Sequence, residues 1–155
     1  MGLEVDVQIA VDALGLPGED RLVDWATAAW LGPASASVGV VIRVVDEAES
    51  RRLNAEFRHK DGPTNVLSFP YEAMPGLDLH HVGDLVISAP VVAREAAEQG
   101  KPDAAHWAHM VVHGMLHLQG YDHLDDADAE RMETTETGIL AGLGFAAPYA
   151  TDELT

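Results

Sequence analysis

The 155-residue chain is 47% hydrophobic, enough to bury one core and too short for two ordinary domains, so a single domain over residues 1–155 is expected. It has no cysteine, which excludes disulfides and thiolate metal sites and leaves His, Asp and Glu as the residues that could bind a transition metal. A net charge of -17 at pH 7 argues against a generic nucleic-acid-binding surface, because phosphates are neutralised by Lys and Arg, of which there are nine.

Residues 1–10 carry Glu4 and Asp6 where a signal peptide would need basic residues and an unbroken apolar stretch. No apolar run approaches the roughly 20 residues of a membrane span, so a soluble, cytoplasmic protein is expected, with no membrane partner. Leu3 to Ile9 alternates apolar and polar residues, the pattern of a half-buried strand. Glu19 to Leu31 has Leu22, Val23, Ala26, Ala29 and Trp30 at helical spacing, and Gly32-Pro33 stops it. Val38 to Val45 (VGVVIRVV) is β-branched enough for a buried strand in the same sheet. Asp46 then caps a second helix, with Ala48, Leu53 and Phe57 expected along its inner stripe.

Arg51, Arg52, Arg58 and Lys60 fall within ten positions, with His59 beside them, and such a local patch can steer RNA even on an acidic protein. For Arg51 and Arg52, pairing with Glu47, Glu49 and Glu56 on a solvated helix face is the plain alternative. Residues 61–70 (DGPTNVLSFP) open with turn chemistry and run into a β-prone stretch, Asn65 to Phe69. A polar turn with Met74-Pro75-Gly76 follows, then a strand at Asp84 to Ser88 and a helix from Pro90 to Gln99 that Gly100 ends. Asp103 begins a helix through Leu118 to Gly120, and after a loop containing His123 the last helix runs from about Asp125 to Leu143. The expected fold class is α+β: a small mixed sheet packed with about five helices, with Trp25, Trp30 and Trp107 in the core.

The chemistry concentrates in His113-Gly-Met-Leu-His117-Leu-Gln-Gly120-Tyr-Asp-His123. Residues four apart on a helix share a face, so His113 and His117 can present two imidazoles to one ion. Gly120 permits positive φ, ends the helix and lets the chain double back so that His123 reaches the same ion. Three nitrogen ligands leave a fourth position for water, the arrangement of catalytic zinc, whose water has its pKa lowered to about 7. His106 and His109 lie on nearly the same helical face and are expected to support or pack rather than ligate.

The spacing is similar to the zinc motif of the metzincin proteases, with Gly114 where those enzymes carry their general-base Glu. A carboxylate at 114 is expected to point at the water position and to repel a phosphodiester, so its absence suits a nuclease. The same departure resembles the YbeY family, whose pattern is matched by His113, Gly114, Leu116, His117, Leu118, Gly120, Tyr121, Asp122 and His123. Residues 53–70 (LNAEFRHKDGPTNVLSFP) and 83–88 (GDLVIS) are similar to two further segments of that family, and only residues 150–155, expected to be a flexible tail, lack a counterpart.

The resemblance implies a compact α+β domain, one Zn2+ per chain, and single-stranded RNA as substrate. It also implies a role in maturation of the 16S ribosomal RNA 3' end and in 70S ribosome quality control. Partners would be the ribosome, a small-subunit ribosomal protein or an assembly GTPase, and not DNA. The zinc ligands would be His113, His117 and His123, and the required arginine Arg58, whose guanidinium can offer two parallel donors to a phosphate. Asp122 is a candidate to orient a ligand histidine, and Asp84 a weaker candidate for a supporting or substrate-binding role. A metzincin-type peptidase and a noncatalytic zinc-stabilised binding module stay open. The acidic segment holding Asp125, Asp126, Asp128, Glu130, Glu133 and Glu136 would suit the latter.

Overall fold

The β-branched run becomes β2 (Ser37–Val45), a central strand whose apolar character follows from core clusters on both of its faces. In the computed structural model, which describes residues 2–12, 15–32, 37–60, 62, 64–70, 81–121 and 125–146, β1 (Gly2–Ile9) and β4 (His81–Ser88) flank it in parallel. β3 (Val66–Pro70) runs antiparallel along the outer edge of β4, giving the order β1-β2-β4-β3. Ending in a proline is compatible with that edge position, where a missing N–H costs no ladder bond.

Among the described residues five helices complete a single α+β domain: α1 (Glu19–Ala29), α2 (Glu47–Arg58), α3 (Ala89–Gln99), α4 (Asp103–Leu118) and α5 (Asp126–Gly142). One sheet face carries Val40, Ile42, Val44, Leu85 and Ile87, and it shares the main core with Leu22, Trp25, Trp107, Met115, Met132 and Leu140. The other face carries Val45, Leu67 and Val86, with Leu53 of α2 and Phe69 packed against them. α4 is apolar almost all round and correspondingly buried. Among the described residues no helix is long and apolar enough to cross a membrane.

Most element ends lie where capping chemistry puts them. Asp46 accepts the N–H of Glu49 at 2.8 Å, Asp125 accepts that of Asp128 at 2.8 Å, and Gly100 closes α3 at φ 65°. β3 begins one residue later than expected because the side-chain oxygen of Asn65 accepts the Val66 N–H at 2.7 Å, turning Asn65 into the strand's entry. Trp30 sits at the margin of the expected core, packed against it. It is half-buried just beyond α1, where its backbone caps the helix, whereas Trp25 and Trp107 are each 3% exposed.

The inner stripe expected on α2 is buried only in part: Leu53 packs against Val45, Leu67 and Val86, but the buried residues beside it are polar. Ala48 is exposed, Leu53 is only half-buried and Phe57 is 54% exposed, whereas Ser50 and Asn54 are buried. Beside the apolar cluster that Leu53 meets, the helix also covers a backbone loop with polar groups to satisfy. Ser50 Oγ donates to the Thr64 carbonyl at 2.7 Å and accepts the Thr64 N–H at 3.0 Å, and Asn54 Nδ2 donates to the Gly62 carbonyl at 2.9 Å.

A second correction concerns Gly114. Its α-carbon faces the sheet, where an added Cβ would stand 2.7 Å from Leu85 Cδ2 and 3.3 Å from Val66 Cγ2, and Ser68 Oγ lies 3.4 Å from the Gly114 carbonyl. Glycine lets α4 approach β3 and β4 closely, and a side chain at 114 would start toward Leu85 and Val66. Gly114→Ala is expected to lower the thermal midpoint slightly, because overpacking of about 1–3 kcal/mol exceeds a helix-propensity gain of about 1 kcal/mol. Gly114→Glu should lower it far more and show no recovery with salt, since a carboxylate would be forced among Leu85 and Val66. Thermal unfolding of both variants checks this, and a parent-like midpoint for Gly114→Glu would show that position 114 opens elsewhere.

Candidate metal centre

The helical period of α4 lines four histidines into one file. Ring centroids of His106 and His109 are 6.2 Å apart, those of His109 and His113 6.1 Å, and those of His113 and His117 4.6 Å. Two carboxylates brace the file from neighbouring helices. At its buried end, Glu95 of α3 meets His106 Nε2 at 2.9 Å and accepts Asn65 Nδ2 at 3.1 Å. Partial burial pushes the Glu95 carboxyl up, but the bonds from His106 and Asn65 outweigh it and hold its pKa below the ordinary value.

The second brace is Glu136 of α5, 0% exposed. Its Oε2 lies 2.8 Å from His109 Nε2 and its Oε1 2.8 Å from His113 Nδ1. Burial raises the pKa of such a carboxyl, yet these two hydrogen bonds and the charges behind them bring it down to about 2. Burial in turn lowers the His109 pKa against the pull of Glu136. An ionised carboxylate is acceptor-only, so both ring nitrogens facing it must carry hydrogen. His113 therefore donates from Nδ1 and, when neutral, keeps the lone pair on Nε2.

That lone pair faces His117, whose Nε2 lies 3.1 Å from His113 Nε2. Two nitrogens bound to one tetrahedral zinc at about 2.0–2.1 Å would be about 3.3 Å apart, so the spacing that here makes a ring-to-ring hydrogen bond also suits two ligands of one ion. His109, His113 and Glu136 also offer ligand atoms all within 4.8 Å of one another and could hold a metal, although an ion there would displace both 2.8 Å hydrogen bonds. The carboxylate–imidazole arrangement at His113 is the one that usually orients a metal-binding histidine.

His113 and His117 open into a cleft of about 600 Å³ that Arg58, Lys60, Asn65 and Tyr121 also line. Arg58 reaches it from the last turn of α2, directly before His59, which turns left-handed (φ 56°) and ends the helix. Its Nη2 donates to the Ser68 carbonyl at 3.1 Å, and the Ser68 hydroxyl lies 3.4 Å from the Gly114 carbonyl, so one residue of β3 ties Arg58 to the turn that carries His113. Gly120 has the positive φ its position requires, 98°, and the Tyr121 N–H returns to the Leu116 carbonyl at 3.0 Å, folding the chain back to the cleft.

Of the residues singled out in the sequence, the structure thus brings Arg58, His113 and His117 together. Asp84 pairs across the sheet with Val41 and Phe69, and the pleat turns it to the face opposite Leu85 and α4. Asp122 and His123 lie outside the described residues, as do residues 71–80 with the Met74-Pro75-Gly76 turn and residues 150–155. Arg51 meets Glu47 at 3.7 Å, the plain helix-face pairing. Glu136 was grouped with the acidic surface and is instead buried. Its signal was present, since it stands between Met132 and Leu140 at four-residue spacing on the apolar stripe of α5.

The model of a family described as endoribonuclease YbeY matches residues 22–144, a span that includes every site residue named above. Among solved structures, the solution structure of TM1509 from Thermotoga maritima is similar at 27% identity, with a TM-score of 0.54 and 86% of each chain covered.

Two outcomes are expected from this geometry. Titration with zinc against a competing chelator should show His117→Ala losing most of the affinity, and Glu136→Gln about 10–100-fold as His113 loses its orienting acceptor. Unchanged affinity in His117→Ala with loss in His109→Ala would move the ion to the buried triad. Stability should also depend on acid. The Glu136 pKa falls from 4.5 to about 2 on folding, so its contribution is complete above the higher value and is lost as pH drops toward the lower. Denaturant unfolding of the metal-free protein between about pH 5 and pH 2 should show this loss, and Glu136→Gln should flatten it.

Proposed function

The chain belongs to the YbeY endoribonuclease family, and on that premise we propose that it is a zinc-dependent, single-strand-specific endoribonuclease of 16S ribosomal RNA 3'-end maturation and 70S ribosome quality control. The observation that carries the metal dependence is the pair of Nε2 atoms 3.1 Å apart at the wall of the cleft that Arg58 also lines. In this proposal His113, His117 and His123 hold the zinc, and Asp122 orients one of them. Zinc supplies Lewis-acid activation of water and stabilisation of developing negative charge.

The protein's own groups do the rest. Glu136 holds the His113 ring in the tautomer that presents Nε2 to the cleft. Arg58, with one donor committed to the Ser68 carbonyl, turns its remaining N–H groups to the nonbridging oxygens of the scissile phosphate, where charge grows during cleavage. Lys60 on the same wall neutralises a neighbouring phosphate. No carboxylate can serve as base from position 114, because that position faces Leu85, and this disfavours a metzincin-type peptidase. The acidic outer face of α5, with exposed Asp126 and Glu130, suits a basic ribosomal protein of the small subunit, with an assembly GTPase as a further partner in the cytoplasm.

Zinc-loaded protein incubated with labelled single-stranded RNA, duplex RNA and casein, each with and without chelator, tests the proposal. Chelator-sensitive cleavage of single-stranded RNA alone is expected, and cleavage of casein would replace the nuclease with a peptidase. Arg58→Ala should retain zinc and fold but lose on the order of 100-fold or more in single-turnover RNA cleavage. An unchanged rate would make Arg58 a surface charge.

A further inference from the structure

The short strand β3 has one edge on β4 and leaves the other to the cleft, whose lining includes Val66, Leu67, Ser68 and Pro70. In an antiparallel pair, residues alternate between those that bond across the ladder and those whose N–H and C=O point away from it. The Ser88 N–H donates to the Asn65 carbonyl at 2.9 Å, which fixes the alternation. Asn65, Leu67 and Phe69 bond toward β4, and Val66 and Ser68 turn both their N–H and their C=O outward. Two of those outward groups are satisfied: the Val66 N–H by Asn65 Oδ1 at 2.7 Å and the Ser68 carbonyl by Arg58 Nη2 at 3.1 Å. Among the described residues the Ser68 N–H has no acceptor.

The N–H and C=O of one outward-facing residue lie side by side, so the guanidinium on the Ser68 carbonyl stands next to the Ser68 N–H. It occupies the place that the N–H of an added strand would take. A peptide laid along this edge would find that carbonyl taken and would bring its own N–H against a cation, so β3 is a poor template for strand addition. What fits is an anion with acceptors only, which can take the main-chain N–H and a remaining N–H of Arg58 together. Ser68 is 6% exposed, so water competes little for its donor, and Lys60 adds positive charge to the same lining.

We infer that Ser68 supplies, through its main-chain N–H, a second donor to the RNA phosphate that Arg58 holds, so that the free edge of β3 is an anion-binding element and not a template for a peptide strand. The inference rests on the nuclease proposed above and adds a substrate contact made by the backbone. The Ser68 side chain takes no part in it, since its hydroxyl lies 3.4 Å from the Gly114 carbonyl of α4.

Amide hydrogen exchange followed by NMR on the zinc-loaded protein reads the donor directly, with a nuclease-resistant 2'-O-methyl single-stranded oligonucleotide as probe. In the free protein the Leu67 and Phe69 amides, bonded to β4, should exchange slowly and the Ser68 amide faster, and the oligonucleotide should slow Ser68 about tenfold or more. Single-turnover RNA cleavage then compares Ser68→Pro, which deletes the N–H at an outward edge position where no ladder bond is lost, with Ser68→Ala, which keeps it. Ser68→Pro should cleave about tenfold or more slowly than Ser68→Ala at a similar thermal midpoint. Adding Ser68→Pro to Arg58→Ala should cost less than it does alone, because the two donors grip one phosphate. Should Ser68→Pro fail to fold, the exchange comparison decides. A Ser68 amide as protected as its neighbours in the free protein, no slowing by the oligonucleotide, or equal cleavage by Ser68→Pro and Ser68→Ala overturns the inference. Slowing by polyglutamate and not by the oligonucleotide overturns it in favour of an acidic protein segment. If the oligonucleotide protects Ser68 while the zinc-loaded parent leaves RNA uncleaved, the nuclease proposal fails and the anion-binding edge stands.

Discussion

A carboxylate with no exposure to water is the interaction on which the rest of the centre depends. Glu136 is fully buried with its pKa held down to about 2, a state that is costly unless each carboxylate oxygen finds a donor. His109 and His113 supply those donors at 2.8 Å each, and in doing so α5 is locked to α4 at one register. Removing one partner of such a pair typically costs about 3–5 kcal/mol because the other charge is left stranded. The same constraint decides chemistry, since a carboxylate that must be donated to by His113 Nδ1 leaves only Nε2 to face the cleft. Fold stability and the His113 tautomer are therefore set by one group.

Position along the other axis is set by how closely α4 can approach the sheet. Gly114 lets the helix backbone sit against Leu85 and Val66, and this brings Ser68 of β3 within reach of the Gly114 carbonyl. Ser68 then turns its own carbonyl to Arg58. The route from the histidine-bearing helix to the arginine thus runs through a short edge strand, with hydrogen bonds at both steps. On the far side, the loop after α2 is held by Ser50 and Asn54, so the polar face of that helix is spent on the cleft wall rather than on the core.

Where a signal was local, the sequence displayed it. The β-branched run of β2, the caps at Asp46 and Asp125, the left-handed glycines at 100 and 120 and the i, i+4 pair of His113 and His117 all express rules that act within a few residues. What was obscured depended on partners distant in the chain. Phe57 looked like a core residue because apolar spacing reveals which residues share a face, not what that face meets. Glu136 looked like surface because its neighbours Glu130 and Glu133 are acidic, although Met132 and Leu140 on its own stripe pointed inward. Gly114 was assigned an electrostatic purpose when its constraint is steric, and only the contact with β4 distinguishes the two.

The negative charge of the whole chain and the cationic cleft wall act over different distances. In physiological salt the screening length is about 8 Å, so a phosphate seated beside Arg58 and Lys60 feels those groups strongly and the remote acidic face of α5 weakly. During approach the order reverses, because the summed field of a molecule carrying -17 repels a polyanion before it reaches any one residue. On the proposed function, a chain built this way would capture RNA poorly from bulk and would be served by RNA delivered at high local concentration, as by docking of its acidic surface on a basic component that carries the strand. In that reading the acidity that argued against nucleic-acid binding at the outset would set where the RNA is met.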